Sequence, residues 1–472
     1  MSNLSELLPA GAGAKSASFV ASGTLGSGVT VALKSDGTVE AVSGVTEGAG
    51  TPTTYASLAV DAVSSAYDPV QNVFMVCYRG GSNYGYAVIG SVSGSTISFA
   101  SPVVFTTSYL FDSTVVYDAN AAKFLIIYHN GSSGYVDGVV GTVSGGVVSF
   151  GSITVLYSAG VNYVTAAYST TQQKTLIFYA LNSSGNYGYA KVATVSGTSV
   201  SVGAEATVYT VNGVDYPAIT YHAADDKMIL GWRGTSSYGY TTAGTISGTS
   251  VSFGTTYTFN SAATAYIALS YDVTEQTFLY AYQVASSPFR GDARVGQLNG
   301  GTGIALDPAI TFMDENAYYI ISTYVPSSNQ HLVLSGFPDF AGTFISVSDT
   351  TPTKGTSTVI TTEAQGANRS GILYDSNLTL PIVSYKPSAS VGSSAIYYSA
   401  STNNTSFIGI TDQAIADTAT GAVIVQGGVS DKVSSLTTGS DYYVQADGTL
   451  STTVSSAPAG RALSSTSILL EG

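Results

Sequence analysis

The sequence predicts an all-β protein: a seven-bladed β-propeller inserted into a small duplicated β domain formed by both chain termini. Three observations carry this expectation. A tyrosine-ended strand recurs seven times, a hairpin motif occurs once near each end, and only 9% of the 472 residues are charged. The usual charged share is about 25%. Gly, Ser, Thr, Val and Tyr fill the space instead, a mixture that suits strands and tight turns and is poor in helix formers.

The first segment, MSNLSELLPAGAGAKS, has no basic stretch followed by an apolar core and does not read as a secretory signal. Ser2 or Asn3 is placed to cap a helical turn through Leu8, which Pro9 would end. Leu4, Leu7 and Leu8 then form a small apolar face, to dock on a partner or on their own domain. Next comes LGSGVTVALKSDGTVEAV, with Asp36-Gly37-Thr38 as a hairpin tip. Asp-Gly between alternating apolar residues is the strongest short hairpin signal. Thr51 to Ala59, TPTTYASLA, is expected to supply the outer strand of the seventh blade.

The repeats follow. Their anchors are Tyr67, Tyr117, Tyr168, Tyr221, Tyr271, Tyr324 and Tyr374, at intervals of 50, 51, 53, 50, 53 and 50. Eleven residues after each anchor stand Tyr78, Tyr128, Tyr179, Trp232, Tyr282, Ser335 and Tyr385. Each unit reads as four strands. An inner strand ends at the anchor, and an apolar second strand follows, as in FMVCY. The third carries patterns such as YGYAVIGSV, and a Ser-Gly turn leads to a fourth, as in TISFA. Four strands at a period near fifty is the propeller signature. The sixth unit is the weakest, with Ser335 for the aromatic and Pro338 suggesting an edge or loop.

After the repeats, LTTGSDYYVQADGTLSTTV carries Asp447-Gly448-Thr449, and its spacings copy the first motif. Leu436 and Gly439 stand to Asp447 as Leu25 and Gly28 stand to Asp36. GRALSSTSILLEG, from Gly460, matches FIGITDQAIADTATGAVIVQGG, from Phe407. In the first copy the propeller lies between the halves. The expected domains are 1–49 and 403–472, together forming the anchoring domain, and 50–402, the propeller. Insertion needs neighbouring entry and exit points, which a ring closed by its own N-terminal strand supplies.

The net charge of −14 and the absence of a Lys/Arg cluster argue against nucleic-acid partners and anionic membrane surfaces. No stretch approaches the ~18 apolar residues of a membrane span. Cys77, the single cysteine, sits in an apolar run and reads as a core thiol. His129, His222 and His331 differ in repeat phase, and no metal, phosphate-loop or other cofactor motif is present, so no cofactor is expected. Asp68, Asp118, Asp272 and Asp375 follow their anchors and read as turn acceptors. A sialidase-type site would need an arginine cluster. Arg79, Arg233, Arg290, Arg294 and Arg369 exist, but the sequence box of that class is missing.

The loops between second and third strands combine aromatic rings, Arg and small polar residues, a palette suited to sugars. Candidate ligand-binding residues are Arg79, Asn83, Tyr84, His129, Asn130, Asn182, Trp232, Arg233 and Tyr238. The paired tyrosines of YGY face one side of a strand and read either as part of this code or as packing between blades. Arg79 and Arg233, at the loop starts, are the better surface candidates.

The segments LSELLPAGAGAK, ASGTLGSGVTVALKSDGTVEAV, and TTGSDYYVQADGTLSTT with GRALSSTSILL resemble parts of virion structural and tail-fibre-like proteins of tailed phages of aquatic bacteria, cyanophages included. The duplicated pattern is also similar to small phage capsid decoration proteins. The resemblance implies a non-enzymatic virion component that assembles as a homo-oligomer, with no catalytic residues to transfer. The expectation is a virion surface protein, made in the host cytoplasm without a signal peptide. Its terminal domain and N-terminal segment would bind other capsid or tail proteins. Its propeller would attach to a host-surface glycan, with no nucleic-acid partner and no membrane insertion. The alternatives are a purely structural capsid decoration protein and a glycan-acting propeller enzyme.

Overall fold

Runs of Val, Ile, Tyr and Phe between Gly- and Asp-centred turns leave this chain little but strands to form. The computed structural model describes residues 15–182, 185–211, 213–336, 339–362, 370–388 and 391–471. The helical turn expected at Ser2–Leu8, Pro338 and Arg369 lie outside the described residues. The chain divides into two compact units: Gly48–Tyr397, and Met1–Glu47 with Tyr398–Gly472. The fold is all-β, and the larger unit is β-propeller-like.

Among the described residues the larger unit holds seven successive antiparallel sheets. Their inner strands are Asp61–Asp68, Leu110–Asp118, Val161–Ser169, Asp215–His222, Thr264–Asp272, Ile321–Val325 and Gly371–Asp375. Each packs against the next, and the seventh packs against the first. Second strands such as Val73–Arg79 and Thr277–Val284 are buried almost throughout, because a sheet covers each of their faces.

The Asp residues after the anchors are turn acceptors. Asp68 Oδ1 accepts the N–H groups of Val70 and Gln71, and Asp118, Asp272 and Asp375 repeat the pattern. The anchor tyrosines stitch sheet to sheet. Tyr168 Oη accepts the Asn120 N–H at 3.2 Å, and Tyr221 donates to Thr171 Oγ1 at 2.8 Å. Tyr271 accepts the Ala224 N–H at 3.3 Å, and Tyr324 meets Thr274 Oγ1 at 2.8 Å. In each case the partner lies in the turn of the preceding sheet. Tyr67 of the first sheet has its pKa pushed up to about 12 by burial and by Asp375 of the seventh.

The aromatics eleven residues after the anchors are buried, from Trp232 at 0% exposure to Tyr385 at 2%. Three of them meet a ring from the outer strand of the preceding sheet in the same way: Phe105 on Tyr128 at 5.4 Å, Tyr209 on Trp232 at 5.3 Å, Phe259 on Tyr282 at 5.2 Å. The second tyrosine of YGY stacks inside its own sheet. Tyr86 lies opposite Tyr78 with centroids 5.5 Å apart, and Tyr240 lies opposite Trp232. Packing between sheets is only part of its role, through contacts such as Tyr240 with Tyr209.

The outer strands are longer than the sequence pattern suggests. In the first sheet Thr96–Phe99 and Val103–Thr106 both pair with Gly85–Ser93. The third strand of the sixth sheet, Phe340–Ser348, begins at the last residue of SGFPDF and pairs on both sides. Thr53–Ala56 pairs with Val391–Tyr398 of the seventh sheet, inside the Thr51–Ala59 segment.

Among the described residues the smaller unit has two five-stranded sheets of the same strand order. One runs Ser16–Val20, Thr420–Val425, Phe407–Thr411, Thr30–Leu33, Val39–Ala41. The other runs Val429–Ser430, Ser467–Leu470, Pro458–Ser464, Asp441–Val444, Leu450–Ser451. The two Asp-Gly-Thr tips match in detail. Asp36 and Asp447 each accept the N–H and Oγ1–H of the threonine two residues on, and Gly37 and Gly448 share φ 83°. Ala32 and Ile410 of one sheet join Tyr442, Val444 and Ile468 of the other in one core.

Candidate functional site

The first five inner strands of the larger unit do not begin as regular strands. Their pairing shifts at Asp61/Ser64, Leu110/Asp112, Val161/Tyr163, Asp215/Ala218 and Ala265/Ala268. A bulge adds a residue to one strand and re-aims a side chain. The residue five before each anchor is Ala62, Asp112, Tyr163, Tyr216, Tyr266 and Tyr319 in the first six sheets. Four of these have left-handed backbone: Ala62 (φ 50°), Tyr216 (49°), Tyr266 (47°) and Tyr319 (55°). For a bulky residue that conformation costs on the order of 1 kcal/mol or more.

All seven inner-strand regions line one cavity of about 510 Å³. Tyr163, Tyr216, Tyr266 and Tyr319 form a continuous arc on its third to sixth sheets, with successive centroids 5.9, 4.9 and 5.0 Å apart. All four rings are half-buried. Burial and neighbouring tyrosines raise the pKa of Tyr266, and burial raises that of Tyr319. Their hydroxyls therefore stay protonated and neutral at physiological pH.

The opposite arc mixes apolar side chains such as Val63 and Phe111 with a set of polar groups. Ser370, Ser64, Ser65, Asp112 and Ser113 line it. Asp112 accepts the Ser113 N–H at 3.0 Å, Ser113 donates to the Ala62 carbonyl at 3.1 Å, and the Ser64 and Ser113 hydroxyls lie 3.2 Å apart. The hydroxyls of Ser65 and Ser322, both lining the cavity, are buried with no hydrogen-bond partner among the described residues. Buried polar groups ordinarily have one. A cavity with aromatic faces on one side and hydroxyl and carboxylate groups on the other suits a ligand with one apolar and one hydroxylated face.

Two sequence candidates border this arrangement. Arg233 donates to the Asp215 carboxylate, and its guanidinium lies 4.9 Å from the Tyr216 ring centroid. Arg79 donates to Asp61 at 2.8 Å, to Tyr109 Oη at 2.9 Å and to the Leu110 carbonyl. Both brace the strand starts. Asn83 is exposed, and Tyr84 and Tyr238 are half-buried, in two short turns of the same geometry, Gly81–Asn83 and Thr235–Ser237. Asn182 is exposed and gives its N–H to the Gly160 carbonyl. Asn130 is spent locally: its amide donates to Asp137 at 2.8 Å, and its oxygen accepts the Ser132 N–H.

Two expectations are corrected. Trp232 has no exposed surface, because Phe178, Tyr209 and Tyr240 cover its ring, so it cannot stack on a ligand. His129 is 7% exposed against Phe111, and burial lowers its pKa to about 4, so it is a neutral core imidazole. The tyrosine arc was missed. Its signal was a shared phase, five residues before the anchor in four consecutive units. Among the described residues no group of three His, Cys, Asp or Glu side chains is placed to hold a metal ion.

No family model and no curated protein matches this chain. Solved structures do. Sqt1 of Saccharomyces cerevisiae is 8% identical with TM-score 0.45, covering 75% of this chain and 100% of its own. An ulvan lyase of polysaccharide lyase family PL25 is 10% identical with TM-score 0.49, covering 74% and 96%. AofleA of Arthrobotrys oligospora, solved as a triple arginine-to-alanine mutant, is 9% identical with TM-score 0.43, covering 70% and 94%. At these scores the likenesses say nothing of chemistry.

Proposed function

We propose that this chain is a non-enzymatic virion surface protein of a tailed phage, a seven-bladed propeller inserted into a duplicated anchoring domain. The anchoring domain attaches to capsid or tail proteins or to further copies of the chain. The propeller attaches the particle to a host-surface glycan through its central cavity. The observation that carries the glycan reading is the tyrosine arc facing a serine and aspartate arc. Sugar rings offer C–H faces to aromatic rings and hydroxyls to polar groups, and Tyr gives large contact area at little entropic cost. The left-handed backbone at Tyr216, Tyr266 and Tyr319 supports the same reading. Strain of this kind clusters at ligand sites.

Binding is favoured over cleavage because Asp112 is the one carboxylate among the described cavity-lining residues. Glycoside hydrolysis needs a pair. Tyr266 and Tyr319, held protonated by their raised pKa, are not in the form that takes up a proton. The test mixes the protein with surface polysaccharide from a susceptible host. Binding without release of oligosaccharides is expected, weakened at least about tenfold in a Tyr216→Ala/Tyr266→Ala double variant. Released oligosaccharides would make the chain an enzyme. Antibody labelling of intact particles tests the virion placement.

A further inference from the structure

We infer that the cavity reads the end of a saccharide chain and not its interior, holding a terminal pyranose ring between the tyrosine arc and the Asp112 side. The inference rests on the glycan reading above and adds the part of the glycan that is recognised.

The geometry is that of a closed wall. Residues from all seven sheets line the cavity, each inner strand packs on the next, and the seventh packs on the first. A polymer interior needs a groove open at two ends, so that chain can leave on both sides of the bound unit. A cavity ringed by strands admits only a segment that enters end first. Its volume of about 510 Å³ falls in the range of about 300–1,000 Å³ usual for small-molecule sites, too small for a long oligosaccharide. Buried Val115 and Leu269 belong to the lining, so an entering ring meets apolar side chains beneath the tyrosines.

The polar groups fit a hydroxyl-rich chain end. A terminal ring carries one more free hydroxyl than an internal unit, because its linkage position is open. Asp112, whose carboxylate also accepts the Ser113 N–H, lines the cavity and would accept from such a hydroxyl as a further partner. The Ser65 and Ser322 hydroxyls, which have no hydrogen-bond partner among the described residues, supply two groups that a ligand hydroxyl can satisfy.

The experiment is saturation-transfer NMR and titration on the full chain. The probes are methyl glycosides of glucose, galactose, mannose, rhamnose, fucose and N-acetylglucosamine, and oligosaccharides of two to eight units built from the same sugars. The expected result is saturation concentrated on the terminal ring. Kd per chain should stay constant within about twofold as length grows, and Asp112→Asn should raise it at least about tenfold. Saturation on internal rings, or affinity rising with the number of internal units, overturns the chain-end inference and leaves the glycan reading standing. Unchanged affinity in both Asp112→Asn and Tyr319→Ala also overturns it, by placing the binding elsewhere. Silence from every saccharide overturns both. The length series needs no variant, so a misfolded mutant does not blunt the test.

Discussion

A tyrosine with left-handed backbone is a local disagreement between residue and conformation, and it carries a stability prediction. Replacing Ala by Gly in regular structure ordinarily costs roughly 0.5–1 kcal/mol. At position 266, with φ 47°, the order should reverse: Tyr266→Gly should be more stable than Tyr266→Ala by about 1 kcal/mol. Denaturant unfolding of the two variants measures the difference, and an Ala variant equal to Gly would remove the strain account. The buried histidines carry a second prediction. His331, with no exposed surface, has its pKa lowered from 6.5 to about 4 by burial, against the pull of nearby Asp272. Between those values the unfolded chain holds a proton that the folded chain refuses. His331 therefore gives stability that is full above pH 6.5 and declines as pH falls toward 4. In this window His331→Gln should take up about one proton fewer on unfolding than the parent, read from the slope of unfolding free energy against pH. Equal slopes would mean that His331 is already charged in the fold.

At the scale of the element, the repeated YGY shows what a single sequence can and cannot convey. Its recurrence marks the start of the third strand, and that much was legible. The tyrosines drew attention as a binding code, but the glycine between them is the constrained position. A Cβ on Gly239 would come within 2.5 Å of the Phe259 ring, and Gly85 and Gly291 meet Phe105 and Phe312 at the same distance. The ring belongs to the outer strand of the same sheet, in a later hairpin, so the contact has no local signature. Gly239→Ala should destabilise by about 1–3 kcal/mol through overpacking, with Phe259→Leu restoring part of the loss. A neutral Gly239→Ala would show that the ring moves aside freely. The same logic explains the missed cavity. The seven anchors set the period, and the Asp turns followed from their chemistry. Whether the residue five before the anchor points into a cavity depends on a bulge, which shifts the face of every preceding side chain. Nothing in the composition of NYVTAAY or DYPAITY announces that shift. Trp232 failed as a candidate for the opposite reason: a loop-adjacent aromatic reads as exposed until the neighbouring sheet is placed over it.

For the whole of the larger unit, the question is how a ring of sheets ends. An open end would leave the seventh sheet with an unpaired edge and the first sheet's Tyr78 uncovered, and exposed edges invite association. Thr53–Ala56 meets both needs. It pairs with the seventh sheet, and Tyr55 packs on Tyr78 with ring centroids 5.2 Å apart. Tyr55 stands twelve residues before Tyr67, as Phe105 stands twelve before Tyr117 and Phe259 twelve before Tyr271. The closing strand therefore keeps the phase of the repeat although it precedes every anchor. Tyr55 and Phe105 are each 5% exposed, so a closure equal to any other junction makes a quantitative demand. Tyr55→Ala and Phe105→Ala should each cost about 3–5 kcal/mol, agreeing within about 1 kcal/mol, with the same denaturant slope. A smaller loss for Tyr55→Ala, with a shallower slope, would mean that the strand detaches before the ring unfolds. The seventh and first sheets would then form the weakest junction. Hydrogen exchange separates the cases, because detachment exposes the Thr54 amide ahead of the core amides, whereas a closed ring releases them together.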